Sequence, residues 1–331
     1  MAMYEKQLFE RFNDLNVLIV GDVMIDRYLI GQVDRISPEA PVPIVLQQSM
    51  DNRLGGAANV ALNVSALGAK PFLCSIVGTD DNADVFLGLF PENRLPIRGI
   101  IKSDSRKTTV KTRVMAGSQQ LLRVDQEDNF DLTPFEEEQL TGSIEQILEE
   151  EQIHVIIFQD YNKGVLTPGV IEKVIALAGK HSIPTAVDPK FRNFWAYRGV
   201  TLFKPNLREI RNQCSFEVKT TLDSLIHTAE YIKQQLENSI SLITLSEQGL
   251  FIADEKSGLI VPTYVRDIAD VCGAGDSVIS IAALGLALDL DIAVIANLSN
   301  LAGGQVCERN GVVPIDKQQL FDELIQTHNN S

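Results

Sequence analysis

The sequence predicts an α/β protein whose mostly parallel central sheet is covered by helices on both faces. Short apolar runs of strand length recur along the chain, and amphipathic segments of helix length separate them. A length of 331 residues with 45% hydrophobic content is ample for one large domain. Alternation on this scale implies right-handed βαβ units.

In chain order, Asn16–Gly21 (NVLIVG) is an apolar run closed by glycine, as expected of a buried parallel strand. Helical periodicity covers 57–67 with Gly68 placed to cap it, and Lys70–Gly78 (KPFLCSIVG) is the next strand. Further strands are expected at 154–159 (HVIIFQ), 184–187 (PTAV), 201–204 (TLFK) and 241–244 (SLIT). Amphipathic helices are expected at 133–150, 167–181, 222–237 and 276–288. Two segments break the alternation. One, at about 31–50, holds the turn-rich SPEAPVP and then IVLQQ; the other, 105–125, alternates as a hairpin turning near Ala116-Gly117. Strands inserted there would form a small lid over a substrate cleft. The expectation is a single domain over 1–331 carrying these insertions, with a frayed tail after Gln326.

Composition narrows the function. A formal charge of −15 argues against a broad basic face for nucleic acid. Positive charge concentrates between Arg98 and Arg123: Arg98, Lys102, Arg106, Lys107, Lys111, Arg113 and Arg123 stand against Asp104 and Asp125. That run is either a solvated strand pair or a phosphate-attracting surface. Cys74, Cys214, Cys272 and Cys307 lack C-x-x-C spacing, and His154, His181, His227 and His328 are scattered, so disulfides and zinc are not expected. No stretch approaches the ~20 apolar residues of a membrane helix. The charged start MAMYEKQLFERFNDLN has no signal-peptide core, so a cytoplasmic protein is expected.

The segment DIADVCGAGDSVIS (267–280) carries the strongest chemistry. A glycine-rich turn runs straight into an apolar helix, whose unpaired N–H groups and dipole favour an anion. Gly273 and Gly275 let backbone approach a phosphate, with Ala274 between them, and Asp276 stands where a carboxylate reaches an incoming hydroxyl. An ordinary Asp N-cap is the bland alternative. Near the N-terminus Asp22 and Asp26 (GDVMIDR) follow the first strand, where open α/β sheets bind ligands, and two carboxylates suit sugar hydroxyls. The double glycine Gly55-Gly56 enters a small-residue helix in which Asn59 both donates and accepts. Tight helix–sheet packing would explain Ala57, Ala58 and Ala61 equally well.

The paired-glycine motif and the Asp270–Asp276 motif, in this order and separation, resemble the two signatures of the ribokinase (PfkB) carbohydrate kinase family. Within it the likeness is greatest to heptose 7-phosphate kinases. It rests on GDVMIDRY, DRISPEAPVP, GGAANVALN, QDYNKGVLT, VDPK and KPNLREI, and covers nearly the whole chain. The resemblance implies a ribokinase-like three-layer sandwich with a small β lid. It also implies transfer of the ATP γ-phosphoryl to the anomeric hydroxyl of D-glycero-D-manno-heptose 7-phosphate, a step of ADP-heptose and lipopolysaccharide-core precursor synthesis. In those terms Asp276 is the catalytic base and Gly273, Ala274 and Gly275 the anion hole. Asp22, Asp26, Gly55, Gly56 and Asn59 bind sugar, and Arg113, Arg123, Lys163 and Lys190 are candidates for the substrate phosphate. Asn206 and Glu209 fit an N-x-x-E motif that orders Mg²⁺ through water. Ser246, Glu247, Gly249 and Asn300 line the ATP site with Asn206, Glu209, Gly273 and Gly275.

Departures from the pattern matter too. Cys272 replaces the usual threonine before Gly273, beside a position that borders a monovalent-cation site in relatives, which leaves K⁺ as an additional cofactor candidate. Many heptose kinases are fused to a nucleotidylyltransferase bearing H-x-G-H; no such motif occurs through Ser331, so that activity is expected in another protein. Exposed lid edges favour a homodimer through the lid. Two other readings are a kinase of the same fold acting on another sugar or sugar phosphate, and a sugar-phosphate-binding protein without turnover.

Overall fold

The computed structural model describes residues 2–117, 119–264 and 266–329. Helix α1 (Ala2–Arg11) leads into β1 (Asn16–Gly21), β2 (Val23–Ile36), β3 (Pro43–Gly56) and α2 (Ala57–Ala66). Then come β4 (Lys70–Gly78), α3 (Asp81–Glu92), β5 (Ile100–Ser103), β6 (Val110–Ala116), β7 (Gln119–Gln126) and α4 (Pro134–Glu150). The middle of the chain forms β8 (Val155–Gln159), α5 (Pro168–Lys180), β9 (Thr185–Asp188), β10 (Leu202–Phe203), α6 (Leu207–Gln213) and α7 (Leu222–Leu236). Strands β11 (Ile240–Thr244), β12 (Leu250–Ala253) and β13 (Gly258–Val261) precede α8 (Ala274–Ala287), α9 (Ile292–Cys307) and α10 (Lys317–Asn329).

A nine-stranded sheet runs β13-β12-β11-β10-β9-β8-β1-β4-β5, parallel except at the antiparallel β11-β12-β13 end. Successive side chains of a strand face opposite ways. Val17 and Ile19 of β1 therefore enter a core shared with α1, α2, α3, α8, α9 and α10. Leu18 and Val20 enter a second core against α4, α5 and α7. Those two cores are the interfaces of a three-layer sandwich. Because β1 lies between β4 and β8, the strand order reverses at its carboxyl end, where such sheets place their ligand crevice.

A second sheet, β3-β2-β6-β7, has four strands: β2 pairs antiparallel with β3 and parallel with β6, and β6-β7 is a hairpin. Burial along β2 falls from a buried base to an exposed tip, so the sheet projects beyond the core. It starts earlier and ends later than the expected insertion at 31–50. Only Asp22 separates β1 from β2, so Asp26 lies inside a strand rather than in a loop. Gly117 turns the hairpin with φ +59°; Ser118 lies outside the described residues.

Gly68 takes the positive φ (+99°) expected after α2, and its N–H donates to Ser65. The helix after the glycine loop begins at Ala274, two residues before the expected start. Helix α10 continues past Gln326 to Asn329, so the expected fraying does not begin there; 330–331 lie outside the described residues. All four cysteines are free. Among the described residues no helix is long and apolar enough to cross a membrane.

Candidate active site

Carboxyl ends of four neighbouring parallel strands build the floor of the site. Asp22 follows β1, Gln159 ends β8 with Tyr161 just beyond it, Asp188 ends β9, and Lys204 follows β10. Helix α8 packs across β8 and β9 and delivers Asp276 from above. Gly273 makes this entry with φ +80°, a conformation that side chains oppose, and the first-turn amides of α8 lie outside its i→i−4 ladder, Ala274 N–H donating to Val271 O at 3.4 Å. The loop is packed onto charge: a Cβ at Gly275 would lie 3.5 Å from Asp188 Oδ2 and 3.7 Å from Lys204 Nζ.

Asp276 is buried, and its Oδ2 accepts from Asn59 Nδ2 at 2.7 Å. Oδ1 accepts from Tyr161 Oη–H at 2.8 Å and Gln159 Nε2 at 3.1 Å. Gln159 Nε2 also donates to Asp188 Oδ2 at 3.2 Å, so one amide bridges two carboxylates. Burial pushes the Asp276 carboxyl up to about 6, with Asp188 adding to the rise and the Asn59 and Tyr161 donors and Lys204 opposing it. The helix N-terminus therefore does not dominate this group; desolvation does. The base role expected of Asp276 requires the ionised form, so in that role kcat/KM climbs as pH rises through about 6 and levels off above neutrality, as a pH–rate profile measures.

Asp188 is held below the usual carboxylate range: burial would raise it, but Lys190 and Lys204 prevail. Lys204 Nζ lies 3.1 Å from Asp188 Oδ2, and Lys190 Nζ 3.5 Å from Oδ1. Lys190 also donates to Glu209 at 2.7 Å and stands 5.6 Å above the Tyr161 ring, so it faces the Glu209 side of the cleft. Asn206 and Glu209 cap α6 reciprocally, at 2.8 Å in each direction. Among the described residues no group of three or more His, Cys, Asp or Glu side chains is gathered to hold a metal. Glu209 is a hard-oxygen donor of the kind Mg²⁺ takes, and with its oxygens accepting from Lys190 and the Asn206 N–H it would reach such an ion through water.

Several expected ligand contacts are spent inside the protein. Asp22 accepts backbone N–H groups of Tyr161 (2.7 Å), Lys163 (3.1 Å) and Val165 (3.1 Å), so it anchors a loop rather than presenting its carboxylate to a sugar. Asp26 is ion-paired with Arg113, which neutralises it within β2. The two glycines make room for this: a Cβ on Gly55 would strike Asp26 Oδ2 at 2.2 Å, and one on Gly56 (φ +62°) would strike Asp22 O at 2.4 Å. Arg123 is exposed and pairs with Asp125, outside the cleft.

Most of the basic run is ion-paired on folding, whereas Arg106 donates to the carbonyls of Phe130 and Lys163. Arg98 meets Glu150, Lys102 meets Asp84, and Lys111 joins Asp125 and Glu127. Lys163 also reaches Glu127, at 2.7 Å. At the residues expected to line a nucleotide, Ser246 and Gly249 form a tight turn after β11 with φ +56° and +95°, and Glu247 is exposed on it. Asn300 of α9 donates to Pro262 O at 2.8 Å. Asp270 accepts from Cys272 N and Gly311 N, both at 3.0 Å, which ties the glycine loop to the segment after α9.

Gln159, Tyr161, Asp188 and Lys204 were not among the expected site residues, although each lies in a quoted motif (QDYNKG, VDPK, KPNLREI) at a strand end. Beside Tyr161 opens a cavity of about 540 Å³, lined also by Asn129, Phe130, Asn162, Lys163, Phe191 and Arg192.

The family that matches this chain gives its class, a sugar kinase with a ribokinase-like fold. Residues 14–318 match the pfkB family carbohydrate kinases, and the chain belongs to that family. It is 40% identical over 308 residues to the bifunctional protein HldE of Methylobacillus flagellatus, covering 93% of this chain and 63% of that protein. It is 37% identical over 328 residues to HldE of Geotalea uraniireducens, covering 98% and 66%. The chain thus spans just under two thirds of these relatives. Phosphofructokinase-2 from Escherichia coli, solved with potassium, superposes with a TM-score of 0.78 at 20% identity, covering 96% of this chain and 99% of that one. Arabidopsis thaliana ribokinase with ribose and ATP gives 0.70 at 11%, covering 93% and 98%.

Proposed function

We propose that the chain transfers the γ-phosphoryl group of ATP to the anomeric hydroxyl of D-glycero-D-manno-heptose 7-phosphate, giving the 1,7-bisphosphate for ADP-heptose synthesis in the cytoplasm. The cavity beside Tyr161 carries this reading. It adjoins the base through the Tyr161 side chain and brings Lys163, Arg192 and two asparagines together around a space of about 540 Å³, large enough for a sugar phosphate. The long likeness to bifunctional HldE proteins supports the same acceptor class.

Asp276 takes the hydroxyl proton as the new O–P bond forms. The α8 N-terminal amides hold the transferring group's oxygens, and Lys190 and Lys204 set the positive field behind them. Glu209 and Asn206 are the residues that would hold Mg²⁺, which when bound would supply further charge neutralisation. Asn300 and the turn at Ser246, Glu247 and Gly249 border the nucleotide, and K⁺ near Asp270 is an accessory candidate. ADP release with Mg-ATP, measured against heptose 7-phosphate, fructose 6-phosphate, ribose, fructose and adenosine, tests the assignment. Turnover confined to unphosphorylated acceptors would overturn it.

The same reading includes a homodimer through the small sheet. Its edge strands β3 and β7 expose Leu46, Met50, Leu122 and Val124, and unpaired apolar edges are covered in stable proteins. Sedimentation velocity at micromolar concentration is expected to show a dimer, which Leu122→Asp with Val124→Asp dissociates. A wild-type monomer would remove this part of the reading.

A further inference from the structure

We propose that Tyr161 is a positioning residue for phosphoryl transfer, its phenol determining which oxygen of Asp276 receives the acceptor's proton. The inference deepens the kinase reading and rests on Asp276 being the base. A carboxylate oxygen offers about two acceptor positions. On Asp276, Oδ1 fills both, with Tyr161 Oη–H at 2.8 Å and Gln159 Nε2 at 3.1 Å. Among the described residues Oδ2 accepts only from Asn59, at 2.7 Å, and so keeps one position open. The acceptor hydroxyl therefore meets Oδ2. Its O–H bond breaks toward that oxygen while the sugar oxygen bonds to the γ-phosphorus, and the bond from that phosphorus to the β-phosphate oxygen breaks, its electron pair leaving with ADP.

Tyr161 is itself fixed at both ends. Its backbone N–H donates to Asp22 at 2.7 Å, and its ring lies beneath Lys190 and walls the cavity that includes Lys163 and Arg192. The bond from Tyr161 also favours the ionised carboxylate, against the burial that opposes it. Asp188 at the end of β9, Lys204 after β10 and Lys190 are the other charged groups facing Asp276, and Asp26 adds its field at Tyr161.

The test is the pH dependence of kcat/KM for Tyr161→Phe in the full chain, with Mg-ATP and heptose 7-phosphate, and with fructose 6-phosphate as a second acceptor. Losing a hydrogen bond to a charged group is expected to move the acid limb up by about one to two pH units. Activity then falls by about tenfold or more at pH 5.5 and returns to within about threefold of wild type at pH 9, with KM for ATP unchanged. Replacing Tyr161 by 3-fluorotyrosine keeps the shape and strengthens the donor, so its limb moves the opposite way. This variant keeps the test decisive where phenylalanine impairs folding.

Should both variants keep the wild-type limb while Asp276→Asn is inactive, Tyr161 has no such role and the proposal is overturned. Should Asp276→Asn retain turnover, the base assignment itself falls. With neither acceptor active, the acid limb is read instead from the pH dependence of unfolding between pH 5 and 8. An unchanged profile in Tyr161→Phe overturns the proposal there too.

Discussion

Asp276→Asn is expected to lower kcat by about 10²- to 10⁴-fold, the usual size of a general-base contribution, while ATP affinity measured by calorimetry stays unchanged. Turnover within about tenfold of wild type would show that the base is elsewhere. The variant is also expected to fold at least as stably as the parent at pH 7. A carboxyl raised to about 6 by burial binds a proton in the folded state that the unfolded chain has already released, so stability falls as pH rises through that window, and the ionised group is a net cost at neutrality. An amide carries no such cost. It also finds partners: the introduced amide would keep its oxygen toward Tyr161 and Gln159 and turn its NH₂ to Asn59. Asn59 Oδ1, buried and without a partner among the described residues, accepts that bond once the Asn59 amide flips. Lower activity with undiminished stability separates a chemical role from a structural one, and urea unfolding measures the second quantity.

Lys204→Met should do the reverse and strike stability first. Lys204 and Asp188 have side chains only 3% and 5% exposed, 3.1 Å apart, and methionine preserves length while deleting the charge. Removing one partner of a buried pair costs about 3–5 kcal/mol, because the other is left uncompensated. Lys190, 3.5 Å from the other Asp188 oxygen, retains part of the compensation and places the expected loss at the low end. Asp188 titrates below its ordinary value because of these lysines, so in the variant its carboxyl rises and protonates more readily. The deficit should therefore shrink as pH falls toward 4, and Asp188→Asn in the same chain should recover much of it. A urea midpoint matching wild type at pH 7 would dismiss the pair as a structural element.

The place of Asp276 in the first turn of α8 was legible because everything that marks it is local: two glycines, a helix start and a carboxylate within four residues. The alternation of apolar runs similarly announced the parallel sheet, since strand and helix periods are properties of neighbours in sequence. Gln159, Tyr161, Asp188 and Lys204 were not, because they meet only through the order β10-β9-β8-β1, and no periodicity encodes which strands lie side by side. The partners of the basic run were hidden for the same reason. Its charges are adjacent in sequence, but Glu150, Asp84, Asp26 and Glu127, which neutralise them, arrive from other elements. Asp26 looked like a loop ligand until pairing with Arg113 let it sit within a strand.

The three backbone bonds from 161, 163 and 165 to Asp22 have a consequence for swapping parts among relatives. The segment that walls the cavity beside Tyr161 takes its shape from a side chain about 140 positions earlier, so the two form one transplantable unit. A chimera that imports a foreign 159–165 loop without its native partner at position 22 should inherit the new residues but not their arrangement. Acceptor preference would then move between family members only when both pieces travel together.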